Sequence, residues 1–232
     1  ALRRQTTRSL SYLASIDQGT SSSRVILYDA ESLEPVASHQ VELQSATTTP
    51  EPGWSQMDPA AILRSVDEAA RGALEKANAS STEVIGVGIT NQRESTVCWD
   101  ASTGDALYDC ILWHDARTRD VSQALQERLG GIDALRGVTG LPISTYFSGV
   151  KLKWLLDELP SIRIALERGS LRFGTVDTWL MQHLTGEHVT DFTNASRTLM
   201  MDLDKGTWDP SCIEALGLPS TMITALPTIK GC

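Results

Sequence analysis

The sequence predicts a mixed fold, α/β or α+β, in which strands come first and helices follow around them. Three observations carry that expectation. The runs Tyr12 to Ile16 and Arg24 to Asp29 are β-rich and flank a polar turn of small residues. From Asp58 the pattern changes to helical spacing, with Ile62, Leu63, Val66, Ala69, Ala70 and Leu74 on one face. Val84-Ile85-Gly86-Val87-Gly88-Ile89-Thr90 is a short apolar run with polar ends, the signature of a strand buried on both faces.

The elements can be justified in order. The first eleven residues carry three arginines, two threonines, two serines and no acid, and the chain does not begin with Met. They read either as the remnant of an organelle transit peptide or as a frayed leader, and they add nothing to the fold. A strand, a loop and a strand follow from Tyr12, and the cluster Thr47 to Gly53 marks a loop before Trp54. Asp58 before Pro59 is an N-cap with a first-turn proline, opening a helix that runs to about Ala77. The apolar run to Thr90 delivers the chain to Asn91-Gln92-Arg93-Glu94, and strand ends in such sheets are where ligands sit. The segments around Val97 and Ile111 form a hairpin leading to Trp113. Helical patterns then occupy roughly 117–129, 149–159, 162–168 and 177–184.

The 232 residues are 41% hydrophobic and 21% charged, enough apolar content for a core without disulfides. With 20 Lys and Arg against 29 Asp and Glu the net charge is −9, which argues against a surface that wraps nucleic acid. Cys98, Cys110, Cys212 and Cys232 match neither zinc-ligand spacing nor a Cys-x-x-Cys motif and read as reduced thiols. No apolar run reaches membrane-spanning length and no secretory signal follows the N-terminus, so a soluble cytoplasmic protein is expected, or an organellar one if the leader is a transit peptide. The sequons at Asn78 and Asn194 are accidental in that setting.

Three segments carry chemistry. Asp17-Gln18-Gly19-Thr20-Ser21-Ser22-Ser23-Arg24 presents a carboxylate, a glycine, four hydroxyls and an arginine within eight residues, a set able to cradle phosphate and hold Mg²⁺ through water; a plain polar hairpin is the alternative. No Gly-x-x-x-x-Gly-Lys-Ser/Thr loop exists. Arg93 beside Glu94 sets a donor fork next to an acceptor, which a polyhydroxyl ligand needs because each hydroxyl both donates and accepts; an ordinary strand-end ion pair is the alternative. Trp113 and Tyr146 can cover the carbons of a small polyol, whereas Phe147 belongs to the core and His114 has no metal-ligand partner spacing.

These motifs, with Pro52-Gly53-Trp54, Lys151-Leu152-Lys153-Trp154, Phe173-Gly174-Thr175-Val176-Asp177-Thr178-Trp179-Leu180 and Asp191-Phe192-Thr193-Asn194-Ala195-Ser196-Arg197-Thr198, resemble the glycerol kinases of the FGGY carbohydrate kinase family. The resemblance runs in order over about residues 12–230. It implies a ribonuclease-H-like, actin-like ATPase domain, a mixed sheet flanked by helices, with residues 12–232 as the N-terminal, substrate-binding domain. It implies an ATP-dependent phosphotransferase making sn-glycerol 3-phosphate, with ATP and Mg²⁺ as cofactors and a homo-oligomer as a possible assembly. By motif, Arg93, Glu94, Trp113 and Tyr146 would hold glycerol, Thr20, Ser21, Ser22 and Arg24 the phosphates of ATP, and Asp17 the metal. Ser95 stands where the family more often has Thr. In the family the catalytic base, an Asp, lies in a second domain with the adenine pocket, beyond Cys232, so this chain alone is expected to be inactive. The alternatives are a kinase for another polyol, or a non-catalytic binding or regulatory fragment of the same fold.

Overall fold

The computed structural model describes residues 11–231; the leader, except Ser11, and Cys232 lie outside the described residues. Two compact units are present. The first comprises 11–44 and Ile62–Asn91, the second Ser45–Ala61 and 92–231.

In the first unit β1 (Tyr12–Gln18) and β2 (Ser22–Asp29) form a hairpin, and β3 (Pro35–Glu42) adds antiparallel to β2. The turn is tighter than the sequence suggests. Gly19 N donates to Ser22 O at 2.8 Å, so Asp17 and Arg24 are strand residues facing each other across the ladder. Two short strands that belong to the second unit come next, β4 (Thr47–Thr48) and β5 (Gln56–Met57), paired antiparallel within what the sequence presents as a loop. Helix α1 (Pro59–Ala77) begins where the Asp58-Pro59 pair predicts, and the Asp58 carboxylate accepts from Ala60 N at 2.9 Å. Its stripe of Ile62, Val66, Ala69 and Ala73 is buried. Gly72 is required by close approach, because a Cβ there would lie 2.5 Å from the ring of His39 on β3.

The helix carries the chain back to β6 (Val84–Asn91), which pairs parallel with β1, giving the order β3-β2-β1-β6. The expectation that this strand is buried on both faces is wrong. Strand β6 is the edge of its sheet, and Ile85 and Val87 are 66% and 57% exposed. An apolar run specifies a strand; whether neighbours cover it is not a property of the run itself.

The second unit is built on an antiparallel sheet of order β4-β5-β8-β7-β9. The expected hairpin is present as β7 (Thr96–Asp100) and β8 (Cys110–Ile111). Helices α2 (Arg119–Leu129), α3 (Arg136–Thr139), α4 (Ser148–Glu158) and α5 (Pro160–Glu167) follow. Strand β9 (Leu171–Thr175), which the helical patterns obscured, then pairs antiparallel along β7. After α6 (Val176–Thr185) come β10 (Val189–Asp191), α7 (Phe192–Ala195), β11 (Met201–Asp202), β12 (Thr207–Trp208), α8 (Pro210–Ala215) and β13 (Thr228–Lys230). The core of this unit includes Ile111, Ile143, Val150, Leu152, Leu155, Ile162 and Phe173, each at most 1% exposed. Cys98, Cys110 and Cys212 are buried and unbridged, and burial pushes the Cys110 thiol up to about 12, out of reach of thiolate chemistry.

Candidate functional site

The chain leaves β6 through a turn centred on Glu94. Ser95 N donates to Arg93 O at 2.8 Å, and Glu94 has φ of 64°, so this is the rare left-handed γ-turn, a strained conformation for a residue with a Cβ. The strain is held by three hydroxyls. Ser148 and Thr96 donate to the Glu94 carbonyl at 3.0 and 3.1 Å, and Ser95 donates to Gln92 Oε1 at 2.9 Å while accepting from Trp113 N at 3.0 Å. At position 95 the work is done by the hydroxyl, which both accepts and donates. The turn buries the Glu94 side chain, 3% exposed, and leaves Arg93 exposed. The two residues that are adjacent in sequence therefore have opposite environments.

The Glu94 carboxylate finds its cation elsewhere. Arg197 Nε donates to Glu94 Oε1 at 2.6 Å, and the same guanidinium lies 4.9 Å from the Phe147 ring centroid and 5.8 Å from that of Tyr146. Tyr146 meets Trp113 edge-on with centroids 5.5 Å apart, and both rings are half-buried. Glu94, Trp113 and Tyr146, three of the residues the sequence nominates, are thus joined in one cluster that also contains Arg197 and Phe147. In the sequence Arg197 stands out only as part of the Asp191 to Thr198 motif, because an ion pair between distant segments leaves no local spacing signal. Phe147 is buried as expected, and His114 is exposed, its ring against the edge of Trp113.

Near this cluster lie three charged side chains whose burial the sequence did not reveal. Arg117 and Asp115 form a fully buried bidentate pair, Nη2 to Oδ2 at 2.8 Å and Nε to Oδ1 at 2.9 Å. Arg117 also donates to Tyr108 Oη and Gln56 Oε1 and sits 4.0 Å over the Trp54 ring. With four of its five donors used inside the fold, it braces the Trp113 segment. Lys151 on α4 is completely buried, its Nζ donating to the carbonyls of Thr145 and Tyr146 at 2.8 and 2.6 Å. The start of α4 packs against the Thr198 backbone, where Gly149 N donates to Thr198 O at 2.8 Å, because residue 149 is glycine and a Cβ there would lie 2.5 Å from that oxygen.

The nominated phosphate and metal residues all lie in the first unit. Thr20 and Ser21 form the turn, Ser22 opens β2, and Asp17 and Arg24 are exposed cross-strand partners. Arg24 Nε donates to Gln40 Oε1 at 2.8 Å. The ladder thus lines up Thr90, Asp17, Arg24 and Gln40 across all four strands at one end of the sheet. Among the described residues no three His, Cys, Asp or Glu side chains gather as a metal cage. A lone exposed carboxylate suits Mg²⁺, which keeps several waters and takes its remaining ligands from phosphate.

Known proteins resemble this chain along nearly its whole described length. The N-terminal domain pattern of the FGGY family of carbohydrate kinases matches residues 12–231. The glycerol kinase of Brucella anthropi is 45% identical over 225 residues, covering 94% of this chain and 44% of the relative, and that of Arabidopsis thaliana is 45% identical over 222 residues, covering 91% and 42%. The crystal structure of Plasmodium falciparum glycerol kinase with ADP superposes with a TM-score of 0.85 at 33% identity, covering 95% of this chain and 43% of that one. Gluconate kinase from Lactobacillus acidophilus shares the fold, with a TM-score of 0.82 at 23% identity. The chain therefore spans less than half the length of these relatives. Because the match runs nearly end to end and takes in the Glu94 turn, the aromatic pair and the hydroxyl-rich hairpin alike, the chain belongs to the FGGY family of carbohydrate kinases, corresponding to its N-terminal domain.

Proposed function

We propose that the protein is an ATP-dependent kinase that converts glycerol to sn-glycerol 3-phosphate, and that residues 12–232 are its substrate-binding domain. The observation that carries this is the Glu94–Arg197 pair set beside the Trp113–Tyr146 rings. A three-carbon triol offers donors, acceptors and a thin carbon edge. A buried carboxylate accepts hydrogen bonds from its hydroxyls, Arg93 and the Tyr146 phenol donate to its oxygens, and Trp113 covers its carbons. Such a site rejects a ligand that leaves one of its polar groups unpaired, which favours glycerol over longer sugars. Relatives that match over 91 to 94% of this chain are named glycerol kinases, which supports the same substrate.

In this reading the hydroxyls of Thr20, Ser21 and Ser22 and the Arg24 guanidinium hold the phosphates of ATP. Mg²⁺, when bound near Asp17 through water, neutralises charge on the phosphate oxygens. The residues of this chain bind and orient. The base that takes the glycerol proton belongs, on the family resemblance, to a part of the relatives that this chain does not match. We place the protein in the cytoplasm, or in an organelle if the Arg-rich leader is a transit peptide, in keeping with the unbridged thiols of Cys98, Cys110 and Cys212.

Calorimetric titration of the chain with glycerol, D-xylulose and D-gluconate tests the substrate. Binding of glycerol alone is expected; equal binding of the sugars, or none of glycerol, overturns the assignment. A coupled ADP-release assay on the chain itself should show no turnover on the scale of about 1–100 s⁻¹ typical of kinases. Turnover at that rate would place the base within these residues.

A further inference from the structure

Lys151 plays no part in the proposed glycerol contacts, yet it is the one lysine among the fully buried large side chains of the described residues. Burying an ammonium is costly unless its donors are used, and here two of them go to consecutive carbonyls, Thr145 O and Tyr146 O. Those carbonyls belong to the segment that presents the Tyr146 ring to Trp113 and to Arg197. Lys151 thus holds the backbone of one ligand-facing wall from behind.

We propose that Lys151 is a positioning residue of the polyol site, fixing Tyr146 through the paired carbonyl bonds and coupling its setting to the state of the Lys151 amine. The proposal rests on the reading of this cluster as the glycerol site. Several groups face the amine. The carboxylates of Asp115 and Glu94 favour its charge, Arg117 opposes it, and the Cys110 thiol on β8, kept neutral by burial, adds no charge near neutrality. Desolvation outweighs them and brings Lys151 down to about 7, so its charge changes near neutrality. When the amine is neutral its bonds to the carbonyls lose their charge assistance and the nearby carboxylates lose a counter-charge. The wall loosens as pH rises.

The test is calorimetry of the 232-residue chain with glycerol between pH 6 and pH 8.5, with circular dichroism at each point. The wild-type dissociation constant is expected to rise several-fold across that range. Lys151→Met is expected to bind glycerol about 10-fold more weakly without the pH trend, while His114→Gln, which removes the imidazole beside Trp113, keeps the trend. If Lys151→Met does not fold, the wild-type and His114→Gln profiles decide. A flat wild-type profile overturns the proposal even if Lys151→Met is weakened, because a purely structural lysine would behave that way, and so does loss of the trend in His114→Gln. Absence of wild-type glycerol binding at every pH would instead overturn the site reading on which the proposal stands.

Discussion

Arg197 Nε donates to Glu94 Oε1 at 2.6 Å although 103 residues separate the two in the chain. Glu94 is 3% exposed, so this bond is what makes a carboxylate tolerable at that turn. Removing the cation would leave a buried, unpaired charge, typically a loss of about 3–5 kcal/mol for a fully buried pair and less here because the Arg197 side chain is 28% exposed. Arg197→Met is therefore expected to lower the melting temperature and to weaken glycerol binding together. Arg197→Lys should recover part of the stability and little of the binding, since an ammonium cannot keep both the Glu94 bond and the flat contact with Phe147. Thermal melts beside calorimetry separate the two effects, and an unaltered affinity in Arg197→Met would remove Arg197 from the site.

Arg93 offers the opposite case. It is exposed, so Arg93→Ala should change folding stability by no more than about 0.5 kcal/mol. Glycerol affinity should nevertheless fall by about 1–3 kcal/mol, the cost of leaving a hydrogen-bond partner unpaired in the complex. Unchanged affinity would show that the guanidinium is a solvated surface charge and that Glu94 alone of that pair reads the ligand.

Asp17 sits at a strand end and is exposed, and its replacement by Asn should leave the fold intact. In a kinase extended to the length of the relatives, Asp17→Asn is expected to reduce kcat with Mg-ATP far more than it raises the KM for glycerol, because the metal stabilises charge that develops during transfer. A change confined to the glycerol KM would put Asp17 on the acceptor side.

Asp177 makes a prediction about pH. Its carboxyl is buried on α6 and is raised above the usual carboxylate range by desolvation, although the hydroxyls of Thr175 and Thr190 donate to it. A folded-state value above the unfolded one means that the folded chain holds the proton longer. Stability from this group is present at low pH and is lost as pH rises through the raised value. Asp177→Asn, which keeps the shape and removes the charge, should be neutral or stabilising at pH 7 and flatten that slope. Urea unfolding of both forms between pH 4 and 8 measures it, and a strongly destabilised Asp177→Asn at pH 7 would show that the charged carboxylate is the preferred form.

Much of this protein was legible in its sequence because the relevant physics is local. The Asp58 cap, the proline that starts α1 and the strand pair around Gly19 depend on residues within a few positions of one another, and each is found where the sequence puts it, the hairpin turn only tighter. Glu94, Trp113 and Tyr146 could be nominated for the same reason, as residue types whose chemistry is visible one by one. Tertiary structure alone decided which groups lose water and what they meet when they do. It made β6 an edge with Ile85 and Val87 open, inserted β9 beside β7, and gave Glu94 the guanidinium of Arg197 rather than that of its neighbour. It also buried Lys151 against two carbonyls and so moved its charge change to about pH 7. Desolvation and ion pairing depend on distance in space, and for these residues that distance was set by segments far apart in the chain.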